Sequence, residues 1–123
     1  MTAARGLPTP QRGEVWWVLA NPGATGGEVR KHRPAVVISV DTVNTRLNRV
    51  QVVPLTSSPA ALSRVFWNEA VVHAASAGGR PSKVMAHQLA TVAKERLLRR
   101  VGRVTSDELA AIERAMRLQL GLI

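Results

Sequence analysis

Short apolar runs rich in β-branched and aromatic residues recur along this chain, each closed by proline, glycine or a polar turn, and a helical period appears only at its C-terminal end. That rhythm restricts the fold more than any other feature, because runs of this length are strands rather than helices and a short strand cannot bury its face alone. Val15-Trp16-Trp17-Val18-Leu19-Ala20 reads as the first strand, led in by Arg12-Gly13-Glu14. Alternation puts Val15, Trp17 and Leu19 on one face and Trp16 and Val18 on the other. One tryptophan is assigned to the core; the other stacks on a base or fills a subunit interface. Ala35 to Val40 and Arg49 to Leu55 are the second and third strands, joined by a polar connection, Asp41 to Asn48, with room for a helical turn. Val65 to Val72 is expected as a fourth strand, and shorter ones at Lys83 to Ala86, Leu89 to Val92 and Arg99 to Val104. Pro59 to Ser63 punctuates the chain, and His73 to Ser82, with Gly78, Gly79 and Pro81, reads as a loop.

The helix signature is local and strong. Thr105-Ser106-Asp107-Glu108 is a capping box, with Thr105 as N-cap and Glu108 three residues on. Leu109, Ile112 and Met116, extended by Ala115 and Leu120, form the apolar stripe, and Gly121 stops the helix. Many short strands with one terminal helix give a mainly β fold: a small, partly open β-barrel with a C-terminal α-helix packed on it. A chain of 123 residues suits one core. We therefore expect a flexible tail over residues 1–11 and a single domain over 12–123.

Charge narrows the partners. With 17 lysines and arginines against 8 aspartates and glutamates, the chain carries +9, an excess that draws polyanions: RNA or DNA first, an acidic protein segment second. There is no cysteine, and the three histidines, His32, His73 and His87, show no ligand spacing, so neither a metal site nor a cofactor is expected. No apolar run approaches the ~18 residues a membrane span needs, and the N-terminus lacks the apolar centre of a signal peptide. The cytoplasm is the expected compartment, with no membrane partner.

The chemistry concentrates in one stretch. A glycine-opened basic loop, Gly26 to Arg33, runs through Pro34 into the second strand, and the third strand ends on Pro54-Leu55-Thr56-Ser57. Pro34 drives Arg33 out of the helical region into extended geometry. Antiparallel pairing of these strands would bring Glu28, His32 and Arg33 beside Thr56 and Ser57. A carboxylate, an imidazole, a guanidinium and two hydroxyls in one groove suit the cutting of a phosphodiester.

These same residues resemble MazF/PemK-type toxins, the ribonuclease half of bacterial toxin–antitoxin pairs. Arg12-Gly13-Glu14-Val15-Trp16 is similar to the family's opening strand. Gly27-Glu28-Val29-Arg30-Lys31-His32-Arg33-Pro34 keeps its spacing of glutamate to Arg-Pro, and Pro54-Leu55-Thr56-Ser57 its strand end. Gln88, Lys94-Glu95-Arg96-Leu97, Gly102 and the terminal helix resemble its C-terminal half. His87 stands where the family commonly has an acidic residue, and Arg30-Lys31 make the loop unusually basic. The resemblance implies an SH3-like barrel of the CcdB/MazF type, a homodimer, metal-independent cleavage of single-stranded RNA at short sequences, and silencing by a MazE-like antitoxin.

It also implies roles. Arg33 matches the catalytic arginine; Thr56 donates a hydroxyl hydrogen bond to the scissile phosphate, with Ser57 assisting. Glu28 is the candidate general base, a surface salt bridge that holds the loop being an equal account of it. His32, Arg30, Lys31 and Gln88 are assigned to RNA binding, although Gln88 also reads as an amide satisfied in the core. Two readings of other classes stay open: a gyrase poison of the CcdB type, which acts without nuclease chemistry, and an RNA-binding barrel that does not cut. Leu118, Leu120, Leu122 and Ile123 either serve a dimer contact or finish the core.

Overall fold

Seven antiparallel strands order the molecule, and their register decides what meets at the site. The computed structural model describes residues 7–19, 26 and 32–123. Its elements are β1 (Glu14–Val18), β2 (Arg33–Val37), α1 (Asp41–Arg46), β3 (Arg49–Thr56), α2 (Pro59–Leu62), β4 (Glu69–Val72), α3 (Ala74–Ala77), β5 (Ser82–Met85), β6 (Ala90–Ala93), β7 (Leu97–Arg103) and α4 (Ser106–Leu120). The sheet runs β4-β5-β3-β2-β1-β7, and β6 pairs with the first half of β3. It is an open, curled sheet with a helix on it.

Period-two alternation sorts the strand residues onto two buried sides. Val15, Val36, Val53, Leu55, Val72 and Val84 pack beneath α4, whose Ile112 and Ala115 fill the same cluster. Trp16, Val18, Ala35, Val37, Val50, Val52, Val92 and Leu97 fill the other. Both faces of β1, β2 and β3 are thus covered, which explains their near-continuous apolar runs. Pro54 falls where β3 changes partner, between Val52 opposite Ala90 and Leu55 opposite Val84, so its missing N–H removes no ladder bond on that edge.

The capping box is formed in full: Thr105 accepts from the Glu108 backbone N–H, and Glu108 accepts from that of Thr105. Gly121 ends the helix in the left-handed region at φ 70. Leu120 at its last turn and Leu122 and Ile123 beyond it are exposed, so they do not finish the core of this chain. Of the expected tail, Leu7 packs against the second cluster and Pro10 is buried, while residues 1–6 lie outside the described residues.

Several boundaries differ from the sequence reading. The second strand starts at Arg33 and closes at Val37, earlier than expected. The fourth is only Glu69–Val72. Val65 to Asn68, rich in strand-forming residues, are a turn instead: Glu69 accepts the Phe66 N–H with its carboxylate and donates its own N–H to the Phe66 carbonyl. That local closure outcompetes strand pairing. The His73 to Ser82 loop contains α3, and Pro59 to Ser63 contains α2.

Candidate active site

Where β2 begins and β3 ends, a cleft of about 640 Å³ opens. Register builds it. Trp17 stands opposite Pro34 on one side and Arg99 on the other, and Ala35 stands opposite Pro54. Continuing that last register outward sets Arg33 beside Thr56. The cleft is lined by Trp17 of β1, His32, Arg33 and Pro34 at the start of β2, Leu55 to Ser58 at the end of β3, and a group termed the far wall, Ala77, Gly78, Arg80, Ser82 and Arg99 to Val101, from α3, the turn after it, β5 and β7.

Arg33 is half-buried, and its side chain lies along the neighbouring strand, Nη1 donating to the Leu55 carbonyl at 3.5 Å. A bond of that length is weak. Its Nε is buried with no partner, and among the described residues no carboxylate pairs with it. Among the described residues the guanidinium is held but not neutralised. Thr56 is buried, and its hydroxyl oxygen accepts the Ser58 N–H at 3.4 Å, which leaves the hydroxyl hydrogen to donate elsewhere.

Of the other residues singled out by sequence, His32 and Ser57 line the same cleft. Gln88 is not among its lining residues; it ends a 3-10 turn, Ala86–Gln88, after β5, half-buried. Glu28, Arg30 and Lys31 lie outside the described residues. The described lining has no carboxylate at all.

Sequence reasoning missed the far wall. Trp16 is the core tryptophan, 1% exposed, with its indole N–H donated to Glu14 at 3.1 Å, while Trp17 turns into the cleft. Arg99 and Arg100 arrive through the β1–β7 pairing and Arg80 through the turn after α3. Arg100 is partly spoken for: Nη1 meets the buried Glu14 carboxylate at 2.9 Å. A signal for this wall was present in Leu97-Leu98-Arg99-Arg100-Val101-Gly102-Arg103, a strand with arginines on both faces, which no fully solvated or fully buried strand needs.

The far wall is anchored from behind. The Glu108 carboxylate accepts the backbone N–H of His73, at the start of α3, at 2.7 Å, and meets the His73 ring at 2.8 Å. Burial pushes this carboxyl up, but hydrogen bonds from the Ser76 hydroxyl, the Thr105 and His73 backbone N–H groups and the His73 ring outweigh it and hold the pKa at about 2. On the other side of α3, Gly102 of β7 leaves no room for a Cβ, which would fall inside the Ser76 carbonyl oxygen. One buried anion thus ties α3 to α4, and one bare strand position lets it lie against β7.

A model of the PemK-like, MazF-like toxins of type II toxin–antitoxin systems matches residues 11–120. The chain is 41% identical over 118 residues to endoribonuclease MazF9 of Mycobacterium tuberculosis, covering 91% of this chain and 97% of that protein. Among solved structures it is similar to MazF of Deinococcus radiodurans, with a TM-score of 0.75 and 22% identity over 92% of this chain and 97% of that one. A mycobacterial endoribonuclease in complex with its cognate antitoxin matches with a TM-score of 0.73 and 23% identity, over 93% of this chain and 97% of that one.

Proposed function

The chain belongs to the PemK-like, MazF-like toxins of type II toxin–antitoxin systems, and on that premise we propose that its cleft cuts single-stranded RNA by turning the RNA's own 2′-hydroxyl on the adjacent phosphate. The observation that carries the reading is the convergence in one cleft of the Thr56 hydroxyl and the Arg33 guanidinium, which no carboxylate among the described residues compensates.

RNA brings its nucleophile with it, so the protein has three tasks: to hold the phosphate in line, to move two protons, and to stabilise charge on the phosphoryl oxygens. Arg33 takes the last task. A guanidinium stays charged at any working pH and offers parallel donors to two oxygens. Thr56 adds a neutral donor to the same phosphate. The 2′-oxygen gives up its proton as it attacks, the bond to the 5′-oxygen breaks, and that oxygen takes up a proton. The products are a 2′,3′-cyclic phosphate and a free 5′-hydroxyl. Glu28, the carboxylate of the basic loop, is the base in this scheme, with His32 and Ser57 contacting the strand. No step calls for a metal or a cofactor.

Trp17, half-buried in the wall, offers an aromatic face to an unstacked base. The antitoxin partner is an acidic, partly disordered segment that competes with RNA for the cations of this cleft. Exposed Leu120, Leu122 and Ile123 at the end of α4 and after it are available for a homodimer contact. Among the described residues no helix is long and apolar enough to cross a membrane, and the reading places the protein in the cytoplasm with its RNA.

Incubating purified protein with single-stranded RNA in excess chelator, then mapping the ends, tests the reaction. Cyclic phosphate and 5′-hydroxyl ends are expected; 5′-phosphate ends would overturn the mechanism, and tight retention without cleavage would favour a binding barrel.

A further inference from the structure

Three cations of the described lining have no carboxylate partner among the described residues: Arg33, Arg80 and Arg99. Arg100 differs from them, its charge met by Glu14. The scissile phosphate accounts for Arg33. It leaves Arg80 and Arg99 on the far wall, in a cleft with more room than one phosphate fills.

The two arginines come from elements locked to each other. Gly102 lies bare against the Ser76 carbonyl, and a Cβ on Gly78, at φ +91, would sit 3.1 Å from the Val101 side chain, so the end of α3 and the middle of β7 are in backbone contact. From α3 the chain passes through Gly78 and Gly79, both at positive φ, to Arg80, whose carbonyl accepts the Ser82 hydroxyl at 2.9 Å. Pro81 fixes the next φ. Arg80 is therefore presented on a stiff turn and Arg99 on a paired strand. Both side chains are exposed, and among the described residues neither makes an ion pair. Rigid supports with unpaired heads are what an anion seat requires, since little ordering is left to do on binding.

Resting on the endoribonuclease reading, we infer that Arg80 and Arg99 form a second phosphate seat, which takes the backbone phosphate of a nucleotide flanking the one that is cut. The seat positions the strand; it performs no chemistry. It reads phosphate rather than base, so it contributes register and affinity but not sequence preference.

Neutral-linkage scanning tests it. A fluorescent single strand carrying a cleaved site, with 2′-deoxyribose at that site to block the reaction, is prepared as a series in which one flanking phosphate at a time is a methylphosphonate. Wild-type protein should lose about tenfold in affinity at one flanking linkage. The Arg80→Gln/Arg99→Gln double variant should bind the all-phosphate strand about tenfold more weakly, show no further loss at that linkage, and give a salt slope shallower by roughly 0.7. Arg80→Lys/Arg99→Lys, which keeps the charge, should recover the slope. On the cleavable strand the double variant should lose more in KM than in kcat.

A double variant as sensitive as wild type at every linkage, with an unchanged salt slope, would overturn the seat. Wild-type protein that binds the strand but never cuts its all-ribose form would overturn the endoribonuclease reading instead, and the binding scan would still decide whether the seat exists.

Discussion

Glu108→Gln removes the charge that ties α3 to α4, and the structure sets the size of the effect. The carboxylate is 5% exposed and takes hydrogen bonds from Ser76, from the Thr105 and His73 backbones and from the His73 ring. Together they overcome its burial and lower its pKa from 4.5 to about 2. A shift of that size corresponds to about 3 kcal/mol favouring the folded state while the group is ionised. Because the folded pKa lies below the unfolded one, this stability is complete above about pH 5 and disappears as pH falls through the folded value near 2. Glutamine keeps the shape but loses the charge and one acceptor. At pH 7 the variant should unfold in urea with about 3 kcal/mol less stability, and its melting temperature should fall by roughly 10 °C. The comparison with wild type should narrow steadily between about pH 5 and pH 2. Urea titrations of both proteins across that range measure it. A variant of wild-type stability at pH 7, or a gap that stays constant down to pH 2, would refute the reasoning.

Two further outcomes follow from the same framework. Gly102→Ala places a methyl group inside the Ser76 carbonyl oxygen, so α3 and β7 must separate; a loss of about 3 kcal/mol or failure to accumulate folded protein is expected, whereas Gly26→Ala, which meets no atom within 4 Å but must hold φ +59, should cost only about 1 kcal/mol of backbone strain by urea unfolding. Lys83→Ala strands the Glu69 carboxylate, which lies 2.8 Å from Nζ with both side chains at most 6% exposed, and should cost about 3–5 kcal/mol by urea unfolding, with much of it recovered when Glu69→Leu is added.

Strands β1, β2 and β3 were legible because each is covered on both faces, so burial shows as a plain apolar stretch. The same property hid which tryptophan was core: alternation separated Trp16 from Trp17 but both sides of β1 are enclosed, and only the three-dimensional course of β7 opens one of them into the cleft. The capping box was legible to the residue, being entirely local. Helix α3 was not, since Ala74 to Ala77 make one turn with no period to detect, held by Glu108 and Gly102 from elsewhere in the chain. Arg33 and Thr56 could be brought together from sequence because one short connection and an antiparallel register join their strands. Arg80 and Arg99 could not, because Arg99 reaches the cleft through a pairing between the first and last strands and Arg80 through the packing of α3 on β7.

The account turns on whether Arg33 and Thr56 act on one phosphate. Single-turnover cleavage rates for wild type, Arg33→Ala, Thr56→Val and the double variant decide this, with circular dichroism confirming that all four are folded. Each single change should slow cleavage by about 10²–10³-fold, and the double variant should be no more than about tenfold slower than the worse single one, as groups that work as a unit behave. A double variant slowed by the full product of the two losses, or an Arg33→Ala protein that cuts at the wild-type rate, would contradict it.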